Sequence, residues 1–476
     1  MGMWRPNARE ILVGDAVAGA IRFDETVSER FAGFLAGLTL AEVPAAATST
    51  ALRDLTDAAG LCLAARNSDY IAQVLESCEA TGSCTVIGHD RTLDAAGAAL
   101  VNGVAIHGED FDDTLEGAPI RVGAMVIPAV LAAGERFGLT GERTALGLIA
   151  GLEAVCRINY VAAGHMHRAG FHPVGVIGAL GAAAAVGVAL GLDRGRLAAA
   201  LGVAASFSSG IIEYLTDGAH TKRLHPGWAA QSGLKAALIA RAGFFAPRTV
   251  FDGGHNFFKT FAPTATPDYT HLTDTLGDRW YMQEIVFKPY ACGTMIHPYI
   301  DCARRLARDG IDADEIDSIV CLTGEGLVHR LWEPLSAKHR PPSGYAAKFS
   351  MPFCMALGFY EDDCGLAQFD DAKVSQPHLL EFAAKISYII DPLNEYPRNY
   401  TGDLRVTLKS GKVLEYHQPH MRGGRHEPLT DAEITTKFRA NAAYGGWDPG
   451  KSEQLLTFCQ SLIQAPSLSG LAEFRG

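Results

Sequence analysis

The sequence has few charged residues and lacks closely spaced cysteine pairs. Charged residues make up 20% of its 476 positions, and the formal net charge is −12. Nucleic acids bind to basic surfaces, so we expect no nucleic-acid partner, although a local cationic pocket for a small anion is compatible with an acidic chain. The ten cysteines include no C-x-x-C pair. We therefore expect no zinc-type metal site and reduced, mostly buried thiols, as in a cytoplasmic protein.

Signals for export or membrane insertion are also missing or weak. Residues 1–10 lack the basic-then-apolar pattern of a signal peptide. Residues 173–192 carry no charge and are long enough to cross a bilayer, but they are mostly Ala and Gly. A helix that is apolar all round and built from small residues is typical of a buried core helix. We predict a soluble, cytoplasmic protein with no membrane partner.

Hydrophobic periodicity divides the chain into a helical part and a mixed part. Apolar residues at spacings of three and four predict helices at 44–67, 92–106, 128–137, 142–159, 173–190 and 194–206. Later runs predict strands at 282–287, 318–322 and 403–417, a helix at 298–308 and a helical tail at 431–463. The predicted fold is mainly α with an α+β lid. The helical domain would comprise 1–264 and 421–476, and the lid 265–420.

A repeated dipeptide is the first feature that points to chemistry. His-Pro occurs at His172, His225 and His297, where the counts of His and Pro predict fewer than one occurrence. Each pair opens a helical pattern with proline at the first helical position. A helix N-terminus disfavours imidazolium and attracts anions, so a neutral histidine there suits acid–base chemistry on a carboxylate. Histidine as an ordinary neighbour of a helix cap is the alternative for any single pair.

A run of carboxylates follows the predicted helix at 92–106. If that helix continues, His107, Asp110 and Thr114 lie on one face. Crowded carboxylates repel, so one of them is expected to have a raised pKa and to serve as an acid or base. Asp112, Asp113 and Glu116 also resemble the aspartate-rich Mg²⁺ motif of helical terpene synthases, although we find no second acidic motif. A solvated helix end is a further alternative.

Two other polar stretches contain cations or histidines. Lys222 and Arg223 lie just before His225-Pro226, where cationic side chains and helix N–H groups would converge on an anion. A basic surface loop is the alternative reading. His165 and His167 with His172 form a histidine-rich loop, but no partner with metal-ligand spacing accompanies them, and we predict no metal.

These motifs, in this order, resemble the MmgE/PrpD family of 2-methylcitrate dehydratases, cis-aconitate decarboxylases and iminodisuccinate epimerases. The resemblance rests on Asn102-Gly103, His107, 111–114, 170–173, Leu190-Gly191, 221–227, 251–254, 288–290 and His297-Pro298. It implies a helical domain with a smaller lid, a homodimer, and activity on small di- or tricarboxylates without cofactor or metal. By carry-over, the site would be lined by Asp110, Thr114, His172, Lys222 and Lys288. His225 and His297 also fall within family motifs.

Two departures from the family pattern affect the expected reaction. A histidine that the decarboxylases and dehydratases carry after the Asp-Asp-Thr motif is missing from 118–123, where Arg121 stands instead. A lid tyrosine of the decarboxylases aligns best with Phe353. Both changes argue against decarboxylation of cis-aconitate, and Arg121 is expected to clamp a substrate carboxylate bidentately.

The combined reading is a lyase or isomerase that removes a proton next to a carboxylate. We expect His172 to be the general base or acid, with Asp110 as its partner and Thr114 nearby. Lys222, Arg121 and Lys288 would hold carboxylates and stabilise enolate-like charge, and His107, His225 and His297 would contact substrate. A dehydratase of a 2-methylcitrate-like acid is favoured. An epimerase of an iminodisuccinate-like diacid and a non-catalytic carboxylate-binding member are the alternatives.

Overall fold

The computed structural model describes residues 25–476, apart from Gly117 and Pro119. Residues 1–10, on which the expectation of no export signal rests, lie outside the described residues. The described chain is mainly helical, with a small mixed sheet in its second half. The predicted fold class is therefore confirmed.

The first half of the chain is almost entirely helical. Its helices are α1 (Val27–Gly37), α2 (Ala45–Ala65), α3 (Asp69–Glu76), α4 (Ala95–Gly108), α5 (Gly123–Phe137), α6 (Gly141–Val161), α7 (His165–Arg168), α8 (Pro173–Ala189), α9 (Arg194–Phe207), α10 (Tyr214–Asp217), α11 (Thr221–Arg241), α12 (Phe257–Phe261) and α13 (Thr270–Thr273). Two-residue strands β1 (Cys84–Thr85) and β2 (Thr92–Leu93) pair with each other, and β3 (Thr114–Leu115) pairs with β4 (Ile285–Val286).

Helix α8 is the centre of this half and packs against α5, α6, α9 and α11. Every one of its residues is buried. Small residues make this packing possible, because a Cβ at Gly181 would lie 2.2 Å from Val155, and a Cβ at Gly233 of α11 would lie 2.4 Å from the carbonyl oxygen of Ala179. The apolar run at 173–192 is thus a core helix, as predicted.

The second half forms an α+β region, which we define as residues 285–418. Its helices are α14 (His297–Arg308), α15 (Glu325–Leu327), α16 (Leu335–His339), α17 (Gly344–Ala347), α18 (Met351–Glu361), α19 (Asp371–Val374) and α20 (Pro377–Ala384). The strands β5 (Ile316–Thr323), β6 (Ile386–Ile390), β7 (Gly402–Leu408) and β8 (Val413–Gln418) form a sheet in the order β6-β5-β7-β8. Only β5 and β6 are parallel. Helix α14 packs on β7 and β8, and α18 packs on α14.

The chain ends in two further helices, α21 (Asp431–Tyr444) and α22 (Pro449–Gln460), which pack against α2. Lys437 on α21 is buried and forms an ion pair with Asp57 on α2 at 2.8 Å. The tail therefore contacts the first half of the chain directly. The domain boundaries at 264 and 420 stay predictions.

Most predicted elements appear with shifted ends. The helix predicted at 92–106 was wrong at its start, because Thr92 and Leu93 form β2 and the Asp94 side chain then caps α4 by accepting from Gly97 N. Helix α5 begins at Gly123, five residues earlier than predicted, and contains Pro128 in its interior. The strand at 282–287 is reduced to β4, because a 3₁₀ turn occupies Tyr281–Glu284. The hairpin at 403–417 was predicted correctly, and its turn contains Gly411 at φ +84°.

One described helix, Gly141–Val161, is long and apolar enough to cross a membrane by length and composition. Its most apolar window is 94% buried inside the protein, where α6 packs against α8, α5 and α2. Such burial is typical of a core helix in a globular protein.

Candidate active site

A cavity of about 430 Å³ lies where the helical half meets the α+β region. The helical half contributes residues from the end of α4, the loop before α5, the start of α8 and the start of α11. The α+β region contributes residues from the turn after β4 and from 330–400. Six predicted site residues line the cavity, namely His107, Asp110, Thr114, Arg121, His172 and Lys222.

Asp110 is the centre of a cluster of cations. Its Oδ1 accepts from Arg121 at 2.8 Å and from Lys222 at 3.0 Å, and its Oδ2 lies 3.8 Å from Lys288 Nζ. Burial alone would raise the pKa of Asp110, but Lys222, Lys288 and Arg121 hold it well below its usual value. The backbone at Asp110 has φ +55°, which aspartate tolerates better than most residues. Three cationic side chains thus surround the single carboxylate of Asp110.

Lys288 lies behind Asp110 and is fully buried, outside the cavity lining. Its Nζ donates to the carbonyl oxygens of Asp110 and Cys292. Burial and the nearby Arg121 lower the pKa of Lys288 to about 7, although Asp110 opposes this shift. The structure therefore separates Lys288 from the cavity lining, and its direct contact with a substrate stays a prediction. Lys288 contacts the backbone and the carboxylate of Asp110 on the side away from the cavity.

His107 and Asp112 form a buried dyad at the cavity wall. Nδ1 of His107 lies 2.8 Å from Oδ2 of Asp112, and His107 Nε2 is buried without a hydrogen-bond partner among the described residues. Burial lowers the pKa of His107, while the Asp112 carboxylate opposes that shift. Because the carboxylate accepts from Nδ1–H, the Nε2 lone pair is left to act on a bound molecule.

His172 occupies the N-cap position of α8, and its side chain pairs with a second histidine. Its Nδ1 lies 2.9 Å from Nδ1 of His225, so one ring donates a proton and the other accepts it. Burial, followed by His107 and Lys222, lowers the pKa of His172 well below its usual value, and the same neighbours lower that of His225 to about 4. Both rings are neutral near pH 7, and Nε2 is the nitrogen of His172 that remains for a ligand.

The structure corrects three expectations about these residues. His225 does not open a helix, because α11 begins at Thr221 and contains Pro226 in its interior. It supports His172 and does not line the cavity. His297 begins α14 as predicted, but it is fully buried in the α+β region and lies outside the cavity lining. Helix α4 ends at Gly108, so His107, Asp110 and Thr114 share the cavity without sharing a helix face.

The alternative Mg²⁺ site does not assemble from its three carboxylates. Asp112 pairs with His107, Asp113 accepts from the N–H groups at the start of α5, and Glu116 accepts from Arg425 N at 3.2 Å. His107, Asp110 and Asp112 do place donor atoms near one another. However, the nearby cations already compensate these carboxylates, which disfavours a further dication.

Several cavity residues were missed by sequence reasoning. They are mainly phenols and a cation of the α+β region, namely Tyr345, Tyr396, Tyr400 and Arg330, with Tyr214 from α10. Phe353, taken as the aligned position of a lid tyrosine, is fully buried in α18 and does not line the cavity. The cavity nevertheless contains phenols, among them that of Tyr345. No motif marks these tyrosines, since they lie on separate segments of the chain.

Arg121 lies at the cavity but is already engaged. Its NH2 donates to Asp110 Oδ1, its Nε lies 3.3 Å from Asp112 Oδ1, and its NH1 donates to the carbonyl oxygen of Asp113. A bidentate substrate clamp would require this guanidinium to exchange Asp110 for a substrate carboxylate. The clamp stays a prediction.

Asp113 gives the site a measurable dependence of stability on pH. Burial and the nearby Asp112 raise its pKa to about 7, against the opposing N–H groups of Val122 and Gly123. An acid with a raised native pKa stabilises the fold below its unfolded pKa, near 4, and this contribution is lost as the pH rises through 7. We expect Asp113→Asn to flatten the fall in unfolding free energy between pH 4 and 7. Urea titrations across this range test it, and an unchanged slope would contradict the assignment.

The comparisons with known proteins place this site in a family. The MmgE/PrpD N-terminal domain matches residues 29–270, and the MmgE/PrpD C-terminal domain matches residues 290–457. The chain belongs to the MmgE/PrpD family.

Several of its curated relatives are named cis-aconitate decarboxylase. The protein of Aspergillus terreus is 28% identical over 398 residues, which cover 79% of this chain and 80% of the relative. The mouse protein is 27% identical over 440 residues, covering 88% and 87%. The human protein is 27% identical over 454 residues, covering 90% of each. Decarboxylases are lyases, and the predicted enzyme class is confirmed at that level.

Proposed function

We propose that the protein is a lyase that acts on a small tricarboxylic acid without a bound cofactor. The observation that carries this proposal is the meeting of Lys222, Arg121 and the neutral rings of His107 and His172 at one cavity. The cations bind carboxylates, and neutral imidazoles move protons near pH 7. The relatives' printed names support the same substrate class.

The finer reaction that we propose is decarboxylation of a cis-aconitate-like acid. Lys222 and Arg121 would hold two carboxylates, with Arg330 at the exposed side of the cavity. When the third carboxylate leaves as CO₂, the electron pair of the broken carbon–carbon bond delocalises into the unsaturated framework and onto a remaining carboxylate. A carbon of that framework then takes a proton from the site, which conserves charge and atoms. His172 and Tyr345, which both line the cavity, are the proton donors that we propose.

Dehydration of a 2-methylcitrate-like acid is the second candidate. The His107–Asp112 dyad favours it, because a neutral imidazole whose Nδ1–H is held by a carboxylate can act as a general base through Nε2. In this case Nε2 of His107 would remove the proton next to a carboxylate, and the hydroxyl would leave with a proton from a site residue. Epimerisation shares the first of these steps.

Proton NMR in D₂O distinguishes these reactions. The purified protein is incubated separately with cis-aconitate, 2-methylcitrate, citrate and iminodisuccinate. Release of CO₂ from cis-aconitate, with deuterium on one carbon of the remaining product, would support decarboxylation. A new alkene signal from 2-methylcitrate would identify the dehydratase, and exchange with inversion would identify the epimerase. Binding of these acids without exchange or product would contradict the proposal and favour a non-catalytic member.

We also propose a cytoplasmic homodimer, which the resemblance implies. Nine of the ten free cysteines are buried, consistent with a reducing compartment. Large apolar side chains are exposed near α10 and α11, namely Leu215, Leu224, Trp228, Phe244 and Phe245. Leu224 and Trp228 share one face of α11, and a second copy of the chain is the partner that we propose for this face.

Trp228→Lys is expected to shift the protein to the monomer in sedimentation velocity, because a charge would be buried in the interface. Tyr444→Lys, at a similarly exposed aromatic residue of α21, is the matched control and should leave the association unchanged. A monomeric parent protein would remove the dimer proposal.

A further inference from the structure

Three cysteines distant in sequence meet inside the α+β region. The Sγ atoms of Cys292, Cys354 and Cys364 all lie within 4.8 Å of one another, and all three side chains are fully buried. Cys292 lies in the turn after β4, Cys354 lies in α18, and Cys364 follows the end of that helix. All ten cysteines are within the described residues, and no other three of them form such a group.

A buried histidine with unsatisfied ring nitrogens lies beside this group. His297 is fully buried, and neither Nδ1 nor Nε2 meets hydrogen-bond geometry with any partner among the described residues. The Cys292 thiol is a close neighbour of the imidazole. The Tyr290 ring packs edge-on against the imidazole, with 5.2 Å between the two ring centroids. A neutral imidazole always carries one N–H donor and one acceptor, so leaving both unpaired in a core is unfavourable unless a ligand binds there.

The thiols themselves have only weak partners in the protein. Cys292 Sγ lies 3.9 Å from the carbonyl oxygen of Gly293, and Cys354 Sγ lies 3.3 Å from that of Ala347. Three sulfurs and one imidazole are the ligand set of closed structural zinc sites. With zinc–sulfur bonds of about 2.3 Å, tetrahedral geometry places the sulfurs about 3.8 Å apart. The three sulfurs lie within 4.8 Å of one another, a range that includes this value. A disulfide would use two sulfurs and leave the third thiol and the imidazole unsatisfied.

We propose that Cys292, Cys354, Cys364 and His297 form a closed binding site for one Zn²⁺ ion. The three sulfurs bind as thiolates and release their protons to solvent on binding. His297, which neighbours Cys292, is the proposed fourth ligand through one of its ring nitrogens. The ion would have no open position, so its role is structural, and the proposed lyase reaction involves no step at the metal.

The proposed ion would stabilise one wall of the active-site cavity. Gly293, Thr294 and Met295, which directly follow Cys292, line that cavity. Backbone hydrogen bonds already connect this turn to its neighbours, from Ala291 N to the carbonyl oxygen of Cys364 at 2.8 Å and from Gly293 N to that of Lys348 at 3.0 Å. Bound zinc would add metal–sulfur bonds that connect this turn to Cys354 in α18 and to Cys364 after that helix.

The test is metal binding by the full chain after treatment with a chelator and a reductant. Titration with Co²⁺ should give one equivalent of tetrahedral cobalt, with thiolate charge-transfer absorption in the near ultraviolet, and Zn²⁺ should displace it. Cys354→Ser and Cys364→Ser should lose this spectrum, and His297→Gln should weaken Zn²⁺ binding at least tenfold. Cys302→Ser, another buried cysteine of the α+β region, is the matched control and should bind as the parent does.

Thermal unfolding gives a second readout that does not depend on lyase activity. Zn²⁺ should raise the Tm of the parent and of Cys302→Ser, but not that of Cys354→Ser, and circular dichroism establishes that each variant is folded. The proposal is overturned if the reduced, folded parent binds no Co²⁺ or Zn²⁺. It is also overturned if binding persists unchanged in Cys364→Ser, or if two of the three cysteines are isolated as a disulfide that chelator and reductant do not affect.

Discussion

Replacing His172 with alanine is expected to lower kcat/KM by about 10²- to 10⁴-fold, the usual range for loss of a general acid–base group. His172 lines the cavity, and its pairing with His225 leaves Nε2 as the ring nitrogen for a bound molecule. Burial and nearby cations keep the ring neutral at the pH of the assay. The measurement is the initial rate with the substrate identified by NMR.

His165→Ala provides the matched control for that experiment. His165 belongs to the same histidine-rich segment, but its Nδ1 pairs with Thr264 Oγ1 at 3.0 Å, and it does not line the cavity. We expect parental rates from this variant. Full turnover by a folded His172→Ala protein would show that another group, with the His107–Asp112 dyad as the first candidate, performs the proton transfer.

Replacing Arg157 with methionine should lower the free energy of unfolding by about 3–5 kcal/mol, as expected when one partner of a buried ion pair is removed. Arg157 and Glu153 are both fully buried, with 2.6 Å between Nε and Oε1. The guanidinium also donates to four backbone carbonyls, those of His271, Asp274, Thr275 and Arg279. The substitution leaves the Glu153 charge and these carbonyls without their partner.

Two further variants determine whether charge burial causes this loss. Glu153→Gln combined with Arg157→Met removes both charges and should recover part of the lost stability. Arg439→Met breaks an exposed ion pair with Glu453, so its effect should stay within about 1 kcal/mol. Equal losses for Arg157→Met and Arg439→Met in urea unfolding would contradict the argument.

The sequence predicted elements well where local signals are strong. Asp193 caps the N-terminus of α9, and α8 begins at the His172-Pro173 pair. Both helix starts are determined by residues adjacent in the sequence, so they could be predicted. The convergence of Asp110, Thr114, His172 and Lys222 was available only through the family resemblance. Their presence at one cavity depends on the packing of separate helices, which periodicity does not specify.

Other features of the site depend on contacts that no local pattern encodes. Asp110 has a left-handed backbone conformation, so helix α4 does not continue through it. The prediction that His107, Asp110 and Thr114 share one helix face therefore fails at this residue. Lys288 was predicted to bind a substrate carboxylate, and no local pattern indicated that the fold would bury it behind Asp110. The cysteine group was missed for the same reason, because the search for metal sites relied on short spacing along the chain.

The pairing of β3 with β4 has a consequence for the order in which the molecule folds. Thr114 and Leu115 pair with Val286 and Ile285, so the loop with Asp110 and the segment with Lys288 are joined across some 170 intervening residues. Closing a loop of that length is entropically costly, and contacts of such separation form late. We therefore expect the helices around α8 to assemble first and the catalytic cavity to be among the last parts to form during refolding. A chain truncated before residue 285 would lack the buried lysine and eight of the 23 residues that line the cavity, and it should have no activity.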